Sequence, residues 1–238
     1  MCRHTAWLGR PTSLQTLLVD PPHGLVRQSW APRRQRYGTV NADGFGIGWY
    51  DGGSVARYRR AGPIWGDASF LSMAPVVRSA CVLAAVRSAT AGGPAGEEAC
   101  APFLLPGGVL LSHNGAVPVD AVAPLVPSAD LARIGSTVDS AFLAALVAAR
   151  LNLGLAAALS SVVREVAERA PEARLNLLAT DGTVVAATAW GDTLWTAGAG
   201  DGLLVASEPS DDEECWTEVP DRSLLVLTPD GAAQEALT

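Results

Sequence analysis

Apolar positions along the chain change spacing twice. In the first half they come as short runs between glycines. Gly44-Phe45-Gly46-Ile47-Gly48-Trp49-Tyr50 leads through Asp51-Gly52-Gly53 into Val55-Ala56-Arg57-Tyr58-Arg59, which predicts a hairpin with a loop of a few residues. Val82 to Arg87 is short and apolar on both parities, the mark of a strand covered on two faces. Val109 to Asn114 predicts another strand, stopped by Gly115. Helical spacing then takes over. Phe142, Leu143, Leu146, Val147 and Leu151 form one stripe, with Ser136 or Thr137 as cap and Asp139 in the opening turn, where an acid suits the dipole. A second helix runs from about Leu155 to Ala170, with Leu155, Leu159, Val162, Val163 and Val166 on one side and Pro171 at its end. The last third returns to strands. Arg174–Thr180 and Thr183–Trp190 flank the turn signal Asp181-Gly182, followed by Leu194–Ala197, Leu203–Ser207 and Leu224–Leu227. Strands, a helical pair, then strands predict one domain with two sheets and helical layers, in an order the pattern leaves open.

Composition narrows the partners. The chain has 238 residues, enough for a sizeable core, and a net charge of -7, which disfavours nucleic acid or an anionic membrane. No apolar run is long enough to span a bilayer, and the start, Cys2-Arg3-His4-Thr5, is no signal peptide, so a cytoplasmic location is expected. All 17 basic residues are arginine, which excludes a Schiff-base lysine and a phosphate-loop lysine. Cys2, Cys81, Cys100 and Cys215, and His4, His23 and His113, lack metal-ligand spacing, so neither metal nor cofactor is expected.

Five segments carry candidate chemistry, and each has a plainer reading. Removal of Met1 would leave Cys2 with a free α-amine (pKa near ~8) beside its thiol (near ~8.5), a base and a nucleophile on one residue; alone, it could be an accident of the terminus. Arg87, at the end of a buried strand, has a fork suited to a carboxylate or to a structural ion pair. In Ser112-His113-Asn114-Gly115, the Asn114 amide and the Gly115 N–H could aim two donors at one oxyanion, or simply make a turn. Asp139 could bind a cation or only compensate a helix dipole. Asn41 to Gly48 is glycine-dense, as a close backbone approach or a hairpin requires.

Taken in order, Cys2, Asp43-Gly44-Phe45-Gly46-Ile47, Arg87 with Thr90, His113-Asn114-Gly115 and Asp139 resemble the class II glutamine amidotransferases, which are N-terminal nucleophile hydrolases. The resemblance implies an α+β fold, a four-layer αββα sandwich, in a single domain over residues 2–238. It implies Cys2 as the nucleophile, forming a glutamyl thioester, and Asn114 and Gly115 as the oxyanion hole. Arg87 and Thr90 would hold the substrate's α-carboxylate and Asp139 its α-ammonium, with His113 beside them on the substrate side. Many members have a histidine after the threonine; here it is Ala91.

Longer stretches resemble a hydrolase branch of that family that acts in bacterial ergothioneine biosynthesis. They are Met1 to Gly9, Ala31 to Arg36, Arg59 to Trp65, Ala206 to Pro209 and Trp216 to Pro220. That likeness implies a small-molecule substrate, γ-glutamyl-hercynylcysteine sulfoxide, cleaved to glutamate and hercynylcysteine sulfoxide. The chain ends after its terminal strands, so no obligatory synthase partner is expected. Trp30, Tyr37 and Trp65, with Trp49, could cradle the trimethylammonium of the leaving half or could be core and hairpin aromatics. Asp211 to Glu214 could attract the same cation or be a solvated loop. Two further readings stay open: a glutaminase subunit feeding ammonia to a separate synthase, and a non-catalytic γ-glutamyl-binding homologue.

Overall fold

The computed structural model describes residues 2–89 and 93–237. The first half supplies β1 (Cys2–Ser13), α1 (Leu25–Gln28), β2 (Phe45–Asp51), β3 (Ser54–Arg60), α2 (Ala68–Met73) and β4 (Arg78–Arg87). Then come β5 (Phe103–Leu104), β6 (Leu110–Ala116) and the helices α3 (Val119–Val122), α4 (Ser128–Ile134), α5 (Asp139–Ala148) and α6 (Leu155–Arg169). The last third supplies β7 (Arg174–Thr180), β8 (Val185–Ala189), β9 (Trp195–Ala199), β10 (Gly202–Ala206), β11 (Trp216–Glu218), β12 (Ser223–Thr228) and β13 (Gly231–Ala236). Among the described residues these strands form two antiparallel sheets, ordered β11-β9-β10-β1-β4-β2-β3 and β13-β12-β8-β7-β6-β5.

Side-chain parity builds the layers. Along β4, Cys81 and Leu83 point to the second sheet, while Val82, Ala84 and Val86 point to an outer layer with Leu18, Leu25, Ile64 and Phe70. This is the two-faced burial that the run Val82–Arg87 predicts. In β12, Leu225 and Leu227 face the first sheet and Leu224 faces α5 and α6. Three apolar interfaces therefore stack four layers: helical turns, sheet, sheet, helices. The hairpin appears as β2–β3 with the turn at Gly52-Gly53.

Several local expectations are corrected. Gly115 does not stop its strand: β6 runs on to Ala116, with Gly115 opposite Leu175. A Cβ on Gly115 would overlap the Arg174 carbonyl oxygen, so glycine here permits close strand contact. The α5 cap position is Val138, with no side-chain cap; Asp139 itself accepts the Ser140 N–H. The α5 helix has no single stripe, because Ala141 to Val147 are all buried between β6, α4 and α6, and Leu151 falls in the turn after it. The pattern also missed β1, whose Arg3 and His4 are fully buried polar residues in the middle of a sheet. No single helix among the described residues is long and apolar enough to cross a membrane; α4 and α5 meet that test only as a pair bent by 110°.

Candidate active site

Cys2 opens β1, and its partner in register on β4 is Arg87. The first sheet thus places thiol and guanidinium side by side at one end. The glycine-dense segment holds that end in place. The Asp43 N–H donates to the Arg87 carbonyl, the Arg87 N–H donates to the Gly44 carbonyl at 2.7 Å, and the Arg87 fork donates to the carbonyls of Asp43 (3.3 Å) and Pro94 (2.6 Å). Among the described residues no carboxylate pairs with this guanidinium, although Arg87 is largely buried. Thr90, Ala91 and Met1 lie outside the described residues.

The second sheet brings the other half. A cavity of about 780 Å³ is lined by Cys2, Arg87, His113, Gly115, Asp139 and Arg174, among others. Its size is that of a small-molecule site. Asp139 accepts the N–H of Val117 at 3.2 Å and that of Ser140 at 2.7 Å, and has no cationic partner among the described residues. A buried cation and an acid, neither ion-paired among the described residues, therefore share one cavity with a thiol. Asn114 lies beneath the wall, fully buried; its amide donates to Ser207 Oγ at 3.4 Å, and its Oδ1 has no partner. His113 donates from Nε2 to the Arg174 carbonyl at 2.8 Å, since a carbonyl can only accept. That leaves Nδ1 to accept the Ser140 hydroxyl at 3.0 Å. Burial holds this ring below the usual histidine range, against the pull of Asp139. No group of three or more His, Cys, Asp or Glu among the described residues could hold a metal ion.

Burial also pushes the Cys2 thiol up. The Asp139 charge adds to that, and the Ser88 backbone N–H and Arg87 oppose it. Such a thiol rests protonated near neutral pH and needs a base close by to become a nucleophile.

Of the aromatics, Tyr37 lines the cavity, with the Arg174 guanidinium 4.2 Å from its ring centroid. Trp30 and Trp65 do not line it. They meet each other edge to face at 5.4 Å on the surface, and Arg27 lies over Trp30.

Four charged residues that patterning missed surround the site. Arg3 is fully buried beside Asp192 (3.4 Å) and Glu208 (3.9 Å), and its Nε donates to the Cys2 carbonyl at 3.0 Å. Glu208 also accepts the N–H groups of Arg33 and Arg34, tying the segment before Tyr37 to the start of β1. The only sequence signals were an arginine next to Cys2 and Ser207-Glu208 within a family-like stretch. Arg174, the fourth, had none beyond its place at a strand start.

A solved class-II glutamine aminotransferase domain protein from Silicibacter pomeroyi superposes with a TM-score of 0.73 at 21% identity, covering 100% of both chains. The two share the four-layer αββα sandwich. Residues 24–199 match the family described as glutamine amidotransferases class-II, and the chain belongs to that family. It is 54% identical over 226 residues to the gamma-glutamyl-hercynylcysteine sulfoxide hydrolase of Mycolicibacterium smegmatis, covering 94% of this chain and 95% of that one. It is 48% identical to the protein of the same name from Mycobacterium tuberculosis strain CDC 1551 / Oshkosh, over 100% of this chain and 97% of that one.

Proposed function

We propose that this enzyme hydrolyses the γ-glutamyl amide of γ-glutamyl-hercynylcysteine sulfoxide, releasing glutamate and hercynylcysteine sulfoxide. The observation that carries the reading is the cavity itself: it is lined by a thiol, an arginine and an aspartate, and neither charge is ion-paired among the described residues. A glutamyl group presents a carboxylate and an ammonium at one carbon, the matching pair of charges. The likeness of nearly the whole chain to two hydrolases of that name supports the choice of leaving group.

In this reading the domain is residues 2–238 with Met1 removed. The Cys2 thiol gives its proton to its own α-amine, directly or through water, and the thiolate attacks the γ-carbonyl. Arg87, with Thr90, binds the α-carboxylate and Asp139 the α-ammonium, while His113 braces Ser140 beside Asp139. The Asn114 amide and the Gly115 N–H stabilise the oxyanion, a contribution of about 3 kcal/mol per donor. The amine protonates the leaving nitrogen, and water then cleaves the glutamyl thioester. A cytoplasmic location belongs to the same reading and suits four unbridged cysteines. Intact-mass measurement tests it directly. The protein alone should lack Met1, and a brief quench with substrate should show one added glutamyl unit on Cys2. A protein that keeps Met1 and turns over at full rate would overturn the mechanism.

A further inference from the structure

Arg174 opens β7 and lines the cavity, yet its charge has no partner among the described residues. Its Nε is buried with no hydrogen-bond partner. Its side chain makes no ion pair among those residues, and its one neighbour of note is the ring of Tyr37. An exposed arginine in this state would need no explanation, because water would solvate it. Arg174 is half-buried, and one of its donors is cut off from water. Its backbone is fixed: the carbonyl accepts from His113, and the residue pairs across the strand with Ala116, next to Gly115.

Counting charges says what it faces. A γ-glutamyl group carries one carboxylate and one ammonium at its α-carbon, and Arg87 and Asp139 match them. Arg174 is a second cation in the same cavity; the cavity's other acid, Glu172, is exposed and makes no ion pair with it among the described residues. Its counter-charge must come from the other side of the scissile amide. We propose that Arg174, braced against Tyr37, binds a carboxylate carried by the amine half of the substrate. The enzyme then selects γ-glutamyl amides of amino acids over glutamine and over γ-glutamyl amides of simple amines. A guanidinium suits this role because its planar fork can take a carboxylate through two parallel N–H bonds. The Tyr37 ring, 4.2 Å from the guanidinium carbon, limits its rotamers. The inference rests on the γ-glutamyl hydrolase reading above.

The test compares γ-glutamyl-cysteine with γ-glutamyl-cysteamine, which keeps the amide and thiol and lacks the carboxylate. For wild type, kcat/KM should favour γ-glutamyl-cysteine on the order of 10- to 100-fold, the range of a hydrogen bond to a charged group. Arg174→Gln should remove that preference by slowing only the carboxylated substrate, and Arg174→Lys should keep part of it. Equal wild-type rates would overturn the proposal, as would an Arg174→Gln protein that retains the preference or slows both substrates alike. Calorimetric binding of the same two compounds to Cys2→Ala protein gives a readout free of turnover. Carboxylate-dependent binding that Arg174→Gln abolishes, with no turnover by wild type, would sink the hydrolase reading and leave Arg174 standing. Turnover of both compounds with no preference would do the reverse. Binding of neither would overturn both.

Discussion

His4 should make the protein sensitive to mild acid, and the size of the effect can be worked out. Its ring is fully buried between the two sheets' polar ends, with Nδ1 3.3 Å from Ser112 Oγ and no partner on Nε2. Burial, with the charges of Arg3 and His113, holds its pKa down at about 3. In the unfolded chain a histidine titrates near ~6.5. Below that pH the unfolded state takes up a proton that the folded state refuses. The His4 contribution is therefore fully present above pH ~6.5 and is lost as the pH falls towards the folded value, at about 1.4 kcal/mol per pH unit. Between pH 7.5 and 4.5 the loss is about 2.7 kcal/mol, a large share of a typical domain's stability. Urea unfolding of wild type and His4→Gln at pH 7.5, 6.0 and 4.5 isolates it. Contributions common to the two proteins drop out of the comparison. The variant starts lower but should lose about 2.7 kcal/mol less than wild type over that range. Parallel curves for the two proteins would refute the reasoning.

Other expectations concern the chemistry. Cys2→Ala should remain folded and inactive, and Cys2→Ser should lose at least about 100-fold in kcat, because a hydroxyl is hardly ionised near pH 7; near wild-type turnover in either would exclude Cys2 as nucleophile. Arg87→Lys keeps the charge and loses the fork that spans the Asp43 and Pro94 carbonyls. It should cost about 2–4 kcal/mol of transition-state binding, roughly 30- to 1000-fold in kcat/KM. Asp139→Asn should lose as much on a substrate with an α-amine and little on its deaminated analogue; equal losses would deny the ammonium contact. Gly115→Ala forces a methyl into the Arg174 carbonyl and the His113 ring. It should lower Tm and kcat together, and an unchanged Tm would contradict the packing described here.

Legibility tracked the kind of residue doing the work. The two-faced run Val82–Arg87 revealed its strand because every position from Val82 to Val86 is apolar, and Arg87 is the first charge after them. The glycines of Gly44–Gly48 marked the hairpin, but not that Gly44 and Asp43 hold the Arg87 backbone. By contrast β1 was silent. Arg3 and His4 break its apolar pattern, and their burial makes sense only once Asp192, Glu208 and Ser207 arrive from the far end of the chain. Gly115 looked like a terminator because a glycine that ends a strand and one that admits a neighbouring carbonyl are identical in sequence. Trp30 and Trp65 invited a binding role by composition, but aromatic character does not encode whether a ring faces a cavity or another ring. Arg174 needed a three-dimensional census of charges, since only an inventory of partners shows that one is missing.

The position of β1 has a temporal meaning. Thr5 pairs with Ala206, the His4 carbonyl accepts from Ser207, and Arg3 meets Asp192 and Glu208. The strand carrying the thiol is made well before its neighbours on that side, which follow nearly 200 residues later, ~10–40 s at ordinary elongation rates. Until then one edge of β1 lies open and the Arg3 guanidinium has no counter-charge. The site therefore assembles late, when segments nearly 200 residues apart close on each other. A chain cut after Trp190 would keep Cys2, Arg87, Asn114 and Asp139 and still have no working site, because β10 and the acids that seat Arg3 would be gone.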